Sequence, residues 1–135
     1  MGKTVLLTQQ EGVRFSAKCG DNEIVIDWKE EDGGTNRGMS PGELFCASLG
    51  ACTVMNVVRY YKTVGIPLEG VKAEATYEGD EKNSRATRFE IRISLPVGMP
   101  KRERAVRKVA DLCYVKKTLR NPPEVTVKIE GPGFD

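Results

Sequence analysis

The sequence of 135 residues contains no histidine. It has four cysteines, but no two of them form a C-x-x-C pair. A hydrolase that relies on a histidine base is therefore excluded, and so is a zinc site built from cysteine and histidine. The cysteines do not suit a secreted disulfide scaffold either. We predict no metal and no cofactor, and we expect the cysteines to be either core residues or redox-active thiols.

A strong net charge is also missing. Lysine and arginine number 21 against 19 aspartates and glutamates, so the formal net charge is only +2. This balance gives no reason to predict a nucleic acid or a membrane surface as a partner. The first six residues lack the apolar run of a signal peptide, so we expect a cytoplasmic protein.

The longest apolar stretch, residues 40–65, predicts one long helix. Ser40 can act as the N-cap, Pro41 suits the first helical position, and Glu43 completes a capping box. At the other end, Gly65 suits the left-handed position that follows a helix. Both ends of the helix are therefore specified by local sequence.

Apolar residues lie on more than one face of this helix, which predicts that protein covers it on nearly all sides. Polar residues such as Asn56 and Arg59 interrupt the apolar run, so we interpret it as a core helix and not as a membrane span. Cys46 and Cys52 are six residues apart and lie on different faces, so they cannot pair with each other.

The remaining segments predict a single α+β domain, residues 1–135, with segregated hairpins and helices. Residues 3–38 are expected to form a β-meander and a loop, 40–65 the central helix, and 70–130 a hairpin, helices and a last strand. The predicted strands are 3–8, 13–19, 23–28, 71–77, 88–95 and 125–129. A second helix is predicted over 100–113, ending at Cys113, and is followed by a short turn.

Four motifs appear in order along the chain. They are Ser40-Pro41-x-Glu43-Leu44, Gly50-Ala51-Cys52-Thr53, Gly65-Ile66-Pro67-Leu68-Glu69-Gly70-Val71 and Cys113-x-Val115-Lys116-Lys117-Thr118-Leu119. In this order and spacing the sequence resembles the OsmC/Ohr family. The resemblance implies antiparallel sheets around a long buried central helix, in an intertwined homodimer with active sites at the subunit interface.

The resemblance also implies a thiol-dependent peroxidase. Cys52 matches the cysteine that attacks an organic hydroperoxide and becomes a sulfenic acid, and Cys113 matches the one that condenses with it to a disulfide. A dithiol, such as a lipoyl group, would then reduce the disulfide.

An arginine and a carboxylate support the reactive cysteine in this family. Arg37 and Arg14 are the two candidates for the arginine, and Glu43 is the candidate carboxylate, although it also suits a helix cap. We predict a substrate pocket with apolar walls that include Phe45, Leu49, Met55 and Tyr60. The sequence departs from well-known peroxidase members at Gly42, Tyr114 and Lys116, where an acidic residue, proline and histidine are common.

Two other functions fit the same residues. In one, Cys52 and Cys113 form a reversible disulfide that senses oxidants without rapid turnover. In the other, the protein binds a small molecule in an apolar pocket of the dimer. We assign Cys19 and Cys46 to structure.

Overall fold

The computed structural model describes residues 2–134 as an α+β fold with two separate antiparallel sheets and a long helix. In chain order the elements are β1 (Leu6–Glu11), β2 (Arg14–Cys19), β3 (Asn22–Ile26), α1 (Pro41–Thr63), β4 (Lys72–Asp80), β5 (Arg85–Ser94), α2 (Glu103–Asp111) and α3 (Tyr114–Arg120). A short 3-10 turn, Glu30–Asp32, lies in the loop between β3 and α1. The α+β fold class and the central helix are therefore confirmed.

The first sheet is the predicted meander, in the order β1-β2-β3. Cys19 pairs with Asn22, so only Gly20 and Asp21 form the turn between β2 and β3. Gly20 has a φ of +59°, which a glycine adopts without a steric penalty. The second sheet is the predicted hairpin of β4 and β5.

The start of α1 has the predicted capping box. The Ser40 side chain accepts a hydrogen bond from the backbone N–H of Glu43, and the Glu43 carboxylate accepts one from the backbone N–H of Ser40. The helix ends at Thr63, and Gly65 follows with a φ of +79°. Both predicted helix signals are thus confirmed.

One face of α1 is buried within the chain. Its residues recur every three or four positions and pack against the β4-β5 hairpin, α2 and α3; they are Cys46, Leu49, Gly50, Thr53, Val57 and Tyr61. Further along, Val57 and Tyr61 form a core with Met99, and the Tyr61 hydroxyl donates to the Val97 carbonyl at 2.8 Å. On the other side Met55 is 66% exposed. This chain alone therefore covers the helix on one side only.

Two boundaries near the second cysteine differ from the prediction. The second helix spans Glu103–Asp111, and Cys113 does not end it but forms the N-cap of α3. The predicted turn after Cys113 is itself a helix of seven residues. Lys117 accounts for this, because its N–H donates to the Cys113 carbonyl at 2.9 Å and closes a first helical turn.

The predicted last strand, 125–129, is wrong for the single chain. The structure assigns no strand there, and Val125, Val127 and Ile129 are 80%, 78% and 66% exposed. A strand requires a neighbouring edge to pair with, and the alternating pattern cannot supply that edge.

The chain exposes far more surface than a compact monomer. Its accessible surface is 11102 Å², whereas a compact folded chain of 14.9 kDa exposes about 7,000 Å². Exposed apolar side chains occur on β1, on α1 and in the C-terminal segment. Pro41–Thr63 is also long and apolar enough to cross a membrane by length and composition, a test that core helices pass as well.

Candidate functional site

The site is centred on Cys113, which is fully buried between α1 and α3. Its thiol donates to the Leu49 carbonyl of α1 at 3.9 Å. The Asn56 side chain, also on α1, donates to the carbonyl of the preceding residue, Leu112, at 3.2 Å. These two contacts hold the start of α3 against the middle of α1.

The surroundings of Cys113 favour its thiolate. Burial raises the pKa of this thiol, but hydrogen bonds outweigh burial and lower it from the ordinary value. The groups that lower it are the backbone N–H groups of Lys116 and Val115 and the side chains of Cys52 and Thr53. These contacts favour the thiolate, the nucleophilic form of a cysteine, at a residue that is closed off from solvent.

The side chain of Cys52 is a neighbour of Cys113 and helps to lower the pKa of the Cys113 thiol. Cys52 is partly exposed on α1, and both cysteines are free thiols. The structure therefore brings together the two residues that the sequence predicted as a pair. It places the contacts that favour a thiolate at Cys113, the residue to which the resemblance assigns the second step.

The other two cysteines have different surroundings. Cys46 is buried on α1, and burial raises the pKa of its thiol. Cys19 is partly exposed at the end of β2. A protonated, buried thiol reacts slowly, so the surroundings of Cys46 suit packing better than chemistry.

The predicted supporting residues lie at the start of α1 and in the N-terminal sheet. Glu43 caps α1, and its carboxylate lies 3.5 Å from the Lys29 ammonium group. The backbone N–H of Ser40 is the main cause of the lowered pKa of Glu43, with help from the Ser40 hydroxyl and Lys29. These contacts account for Glu43 as a cap.

The two candidate arginines lie at the loop between β3 and α1. Arg37 is part of this loop, and Arg14, on β2, bonds to it. Arg14 donates to Gln10 and to Thr35, the latter at 2.9 Å, and pairs with Glu11. Arg37 is exposed, and its backbone N–H donates to Asp27. The contacts of both residues therefore lie within the N-terminal sheet and its loop.

The four predicted pocket residues do not line one cavity of this chain. Phe45 lines a cavity of about 750 Å³ with Tyr77 and Phe89, and Leu49 lines one of about 450 Å³ with Thr53 and Phe89. Tyr60 lies beside Asn56 in a third cavity, of about 190 Å³. Met55 is on the exposed side of α1. The first two cavities share Phe89, so Phe45 and Leu49 border neighbouring apolar space.

Two polar residues near the site, and one in the loop between β3 and α1, were not predicted to have a role. The Thr53 hydroxyl shares the Leu49 carbonyl with the Cys113 thiol, and the Asn56 side chain donates to the Leu112 carbonyl. The only signal in the sequence was that both are polar residues, one and four positions after Cys52 on the central helix. Asp27 is buried and accepts hydrogen bonds from Trp28, Thr35 and Arg37. Its role was hidden, because a lone aspartate after a strand resembles any loop residue.

Comparisons with known proteins agree with this fold. A family profile described as OsmC-like protein matches residues 34–128. A search of curated proteins found no match.

Solved structures share the architecture at low sequence identity. A protein from Psychrobacter arcticus, described as an osmotic stress induced and detoxification response protein, is 24% identical with a TM-score of 0.79, over 87% of this chain and 89% of that one. An organic hydroperoxide resistance protein from Elizabethkingia anophelis, with thiocyanate bound, is 21% identical with a TM-score of 0.61, over 87% and 89%.

A third structure comes from Vibrio cholerae. It is described as an organic hydroperoxide resistance protein, holds captopril in one of its active sites, and is 17% identical with a TM-score of 0.60 over 88% of this chain and 85% of that one. At these identities the structures establish the fold, whereas the family profile matches most of the sequence. This chain therefore belongs to the OsmC-like protein family, the OsmC/Ohr family that its motifs resemble.

Proposed function

We propose that this protein is a thiol-dependent peroxidase that reduces organic hydroperoxides to alcohols. The observation that carries the proposal is the packing of α3 against α1, which sets the Cys113 thiol 3.9 Å from the Leu49 carbonyl, one helical turn before Cys52. Two cysteines that the packing of α1 and α3 makes neighbours can form a disulfide when their sulfur atoms meet in the required geometry. Some structures with this fold are described as organic hydroperoxide resistance proteins, which supports the same chemistry.

The reaction has three steps. The Cys52 thiolate attacks the outer oxygen of the hydroperoxide, the O–O bond breaks, and the alkoxide leaves and takes up a proton. Cys113 then attacks the sulfur of the Cys52 sulfenic acid, which forms a disulfide and releases water. A dithiol reduces the disulfide by exchange and restores both thiols.

The working unit is proposed to be a homodimer. Each chain exposes about 4,000 Å² more than a compact monomer of its mass, and apolar residues contribute to that surface. A second copy could cover the exposed side of α1, where Met55 lies. It could also supply a guanidinium to Cys52, because the Arg14 guanidinium of the same chain donates to Gln10 and Thr35.

The organic group of the substrate is proposed to occupy the apolar space between α1 and β5. This space borders the cysteine pair at Leu49 and Thr53 and continues past Phe89 toward Phe45. Each buried methylene contributes about 0.8 kcal/mol, so three of them favour an alkyl hydroperoxide over hydrogen peroxide by more than tenfold in kcat/KM.

The test is peroxide consumption at catalytic protein concentration, with a dithiol as the reductant. Cumene hydroperoxide and hydrogen peroxide are compared, and Cys52→Ser is compared with Cys19→Ser. We expect turnover in the parent and in Cys19→Ser, a preference for cumene hydroperoxide, and none above background in Cys52→Ser. Retained turnover in Cys52→Ser would remove the central claim.

A sensing role is the second candidate, because the full burial of Cys113 suits a slow reversible disulfide. In that case one equivalent of oxidant would form the disulfide, and added dithiol would not give sustained turnover. If no disulfide forms either, small-molecule binding in the apolar cavities becomes the better hypothesis.

A further inference from the structure

One carbonyl group on α1 receives two hydrogen bonds from the buried side chains at the cysteine pair. The Thr53 hydroxyl donates to the Leu49 carbonyl oxygen at 2.8 Å, and the Cys113 thiol donates to the same oxygen at 3.9 Å. Thr53 is only 9% exposed and Cys113 is fully buried. The hydroxyl and the sulfur are therefore neighbours, with water largely excluded from both.

A threonine within a helix often bonds to the carbonyl four residues earlier, which by itself has only local structural meaning. Thr63 makes that bond near the end of α1, where its hydroxyl donates to the Arg59 carbonyl at 3.0 Å. Thr53 differs because the Cys113 thiol donates to the same carbonyl oxygen as its hydroxyl, and Thr53 helps to lower the pKa of that thiol. A hydroxyl hydrogen rotates freely about its C–O bond, so it can leave the carbonyl for a stronger acceptor.

Loss of the Cys113 proton creates that acceptor. The thiolate no longer donates to Leu49, and a negative sulfur accepts hydrogen bonds more strongly than a neutral carbonyl. The Leu49 carbonyl still accepts the helical N–H of Thr53, so it is not left unpaired. Rotation of one hydroxyl thus satisfies the new charge without moving the backbone.

We propose that Thr53 is a positioning residue, whose hydroxyl turns from the Leu49 carbonyl to the Cys113 sulfur when the thiolate forms and holds that sulfur for attack on Cys52. This inference rests on the proposed function. In the step it assists, a lone pair of the Cys113 thiolate attacks the sulfur of the Cys52 sulfenic acid. The S–S bond forms, the S–O bond breaks, and hydroxide leaves and takes a proton from solvent to give water.

The charged and titratable groups around Cys113 are the same whether or not the Thr53 hydroxyl is present. On the α1 side the titratable neighbour is Cys52, whose side chain helps to lower the pKa of the Cys113 thiol. From α2 and α3 come Asp111 and Lys116, which pair with each other. The residues of β5 that line the adjacent cavity are Phe89, Ile91 and Ile93, which carry no charge. Thr53 is therefore a neutral donor whose removal leaves these charges in place.

The first experiment titrates the thiolate in the absence of peroxide. Absorbance at 240 nm is followed against pH for the parent, Thr53→Val, Thr53→Ser and Thr63→Val, and Cys113→Ser identifies the contribution of Cys113. Valine matches threonine in shape but lacks the hydroxyl, so we expect the Cys113 titration to move to higher pH in Thr53→Val. Thr53→Ser should restore it, and Thr63→Val, which loses the same kind of local bond, should titrate like the parent.

The second experiment measures how Cys52 divides between disulfide and sulfinic acid after a pulse of cumene hydroperoxide. Loss of one hydrogen bond to the thiolate should slow disulfide formation about three- to tenfold at pH 7 in Thr53→Val. The sulfinic fraction should therefore rise, and it should fall back toward the parent value at a pH where Cys113 is fully ionised.

A parent-like titration of Thr53→Val, or an equal shift in Thr63→Val, would overturn this role for Thr53. So would a Thr53→Ser variant that behaves like Thr53→Val. The titration needs no hydroperoxide, so it judges Thr53 even if the parent protein shows no turnover. If the parent shows no turnover but the Thr53 variants change the Cys113 titration as expected, only the peroxidase proposal is overturned.

Discussion

The sulfur of Cys113 lies 3.9 Å from the carbonyl oxygen of Leu49, one helical turn before Cys52 on α1. Two strands and a helix separate these cysteines in sequence, and the packing of α3 against α1 removes that separation. The start of α3 thus presents Cys113 to the part of the central helix that carries Cys52.

Replacing Cys113 with serine should stop the catalytic cycle after one turnover. Cys52 would reduce one hydroperoxide per subunit and remain as a sulfenic acid, because no thiol is in place to condense with it. Labelling with a sulfenic-acid probe, followed by mass spectrometry of the peptides, checks this. At higher peroxide the same residue should oxidise further to the sulfinic acid. Labelling of Cys19 or Cys46 in place of Cys52 would mean that the roles are misassigned.

The protein should sediment as a dimer at micromolar concentration. Met55→Glu places a charge on the exposed apolar side of α1 and should weaken the dimer at least tenfold, since burying an unpaired carboxylate costs several kcal/mol. Lys82→Glu, in the turn between β4 and β5, serves as the control and should stay dimeric. A folded monomer of the parent protein at this concentration would contradict the prediction.

Asp27 should make stability depend on pH in the acidic range. The Thr35 hydroxyl is the main cause of its lowered pKa, burial opposes it, and the N–H groups of Arg37, Thr35 and Trp28 add to it. A carboxylate with a lowered pKa stabilises the folded state above its ordinary value of 3.8, and this contribution is lost as pH falls through the lower folded value.

Thermal unfolding between pH 2 and 7 measures this contribution. Thr35→Val should reduce stability near neutral pH more than below pH 3, which flattens the acidic part of the profile. Thr35→Ser keeps the hydroxyl and should follow the parent. Equal destabilisation by Thr35→Val at every pH would assign the effect to packing and not to the carboxylate.

Gly50 should be intolerant of larger residues because α1 crosses β4 closely there. A Cβ atom at this position would lie 2.9 Å from the Cβ of Ala75, which is closer than such atoms approach. Gly50→Val should lower the free energy of unfolding by about 1–3 kcal/mol through overpacking. Chemical denaturation measures the loss, and the added change Ala75→Gly should recover part of it. A Gly50→Val protein as stable as the parent would show that α1 can move away from β4.

The local elements could be predicted because their signals lie within a few residues of each other. Ser40 and Glu43 are neighbours across one helical turn, and Gly20 lies in a two-residue hairpin turn. The alternation of apolar and polar residues in β4 and β5 likewise predicts two strands that pair through the short segment joining them. In each case the interacting groups are close in sequence, so no knowledge of the rest of the fold is needed.

The sequence by itself determined the α+β elements, the caps of α1 and, through the motifs around Cys52 and Cys113, the family. Only the tertiary structure decided that Cys113 begins α3 beside Leu49 and Thr53, that the Arg14 side chain on β2 donates to Thr35 in the loop before α1, and that residues 125–129 have no strand partner in the described part of the chain. The physical reason is that hydrogen bonds between distant segments, and the edges that a strand can join, depend on how whole elements pack, which neither residue spacing nor periodicity specifies.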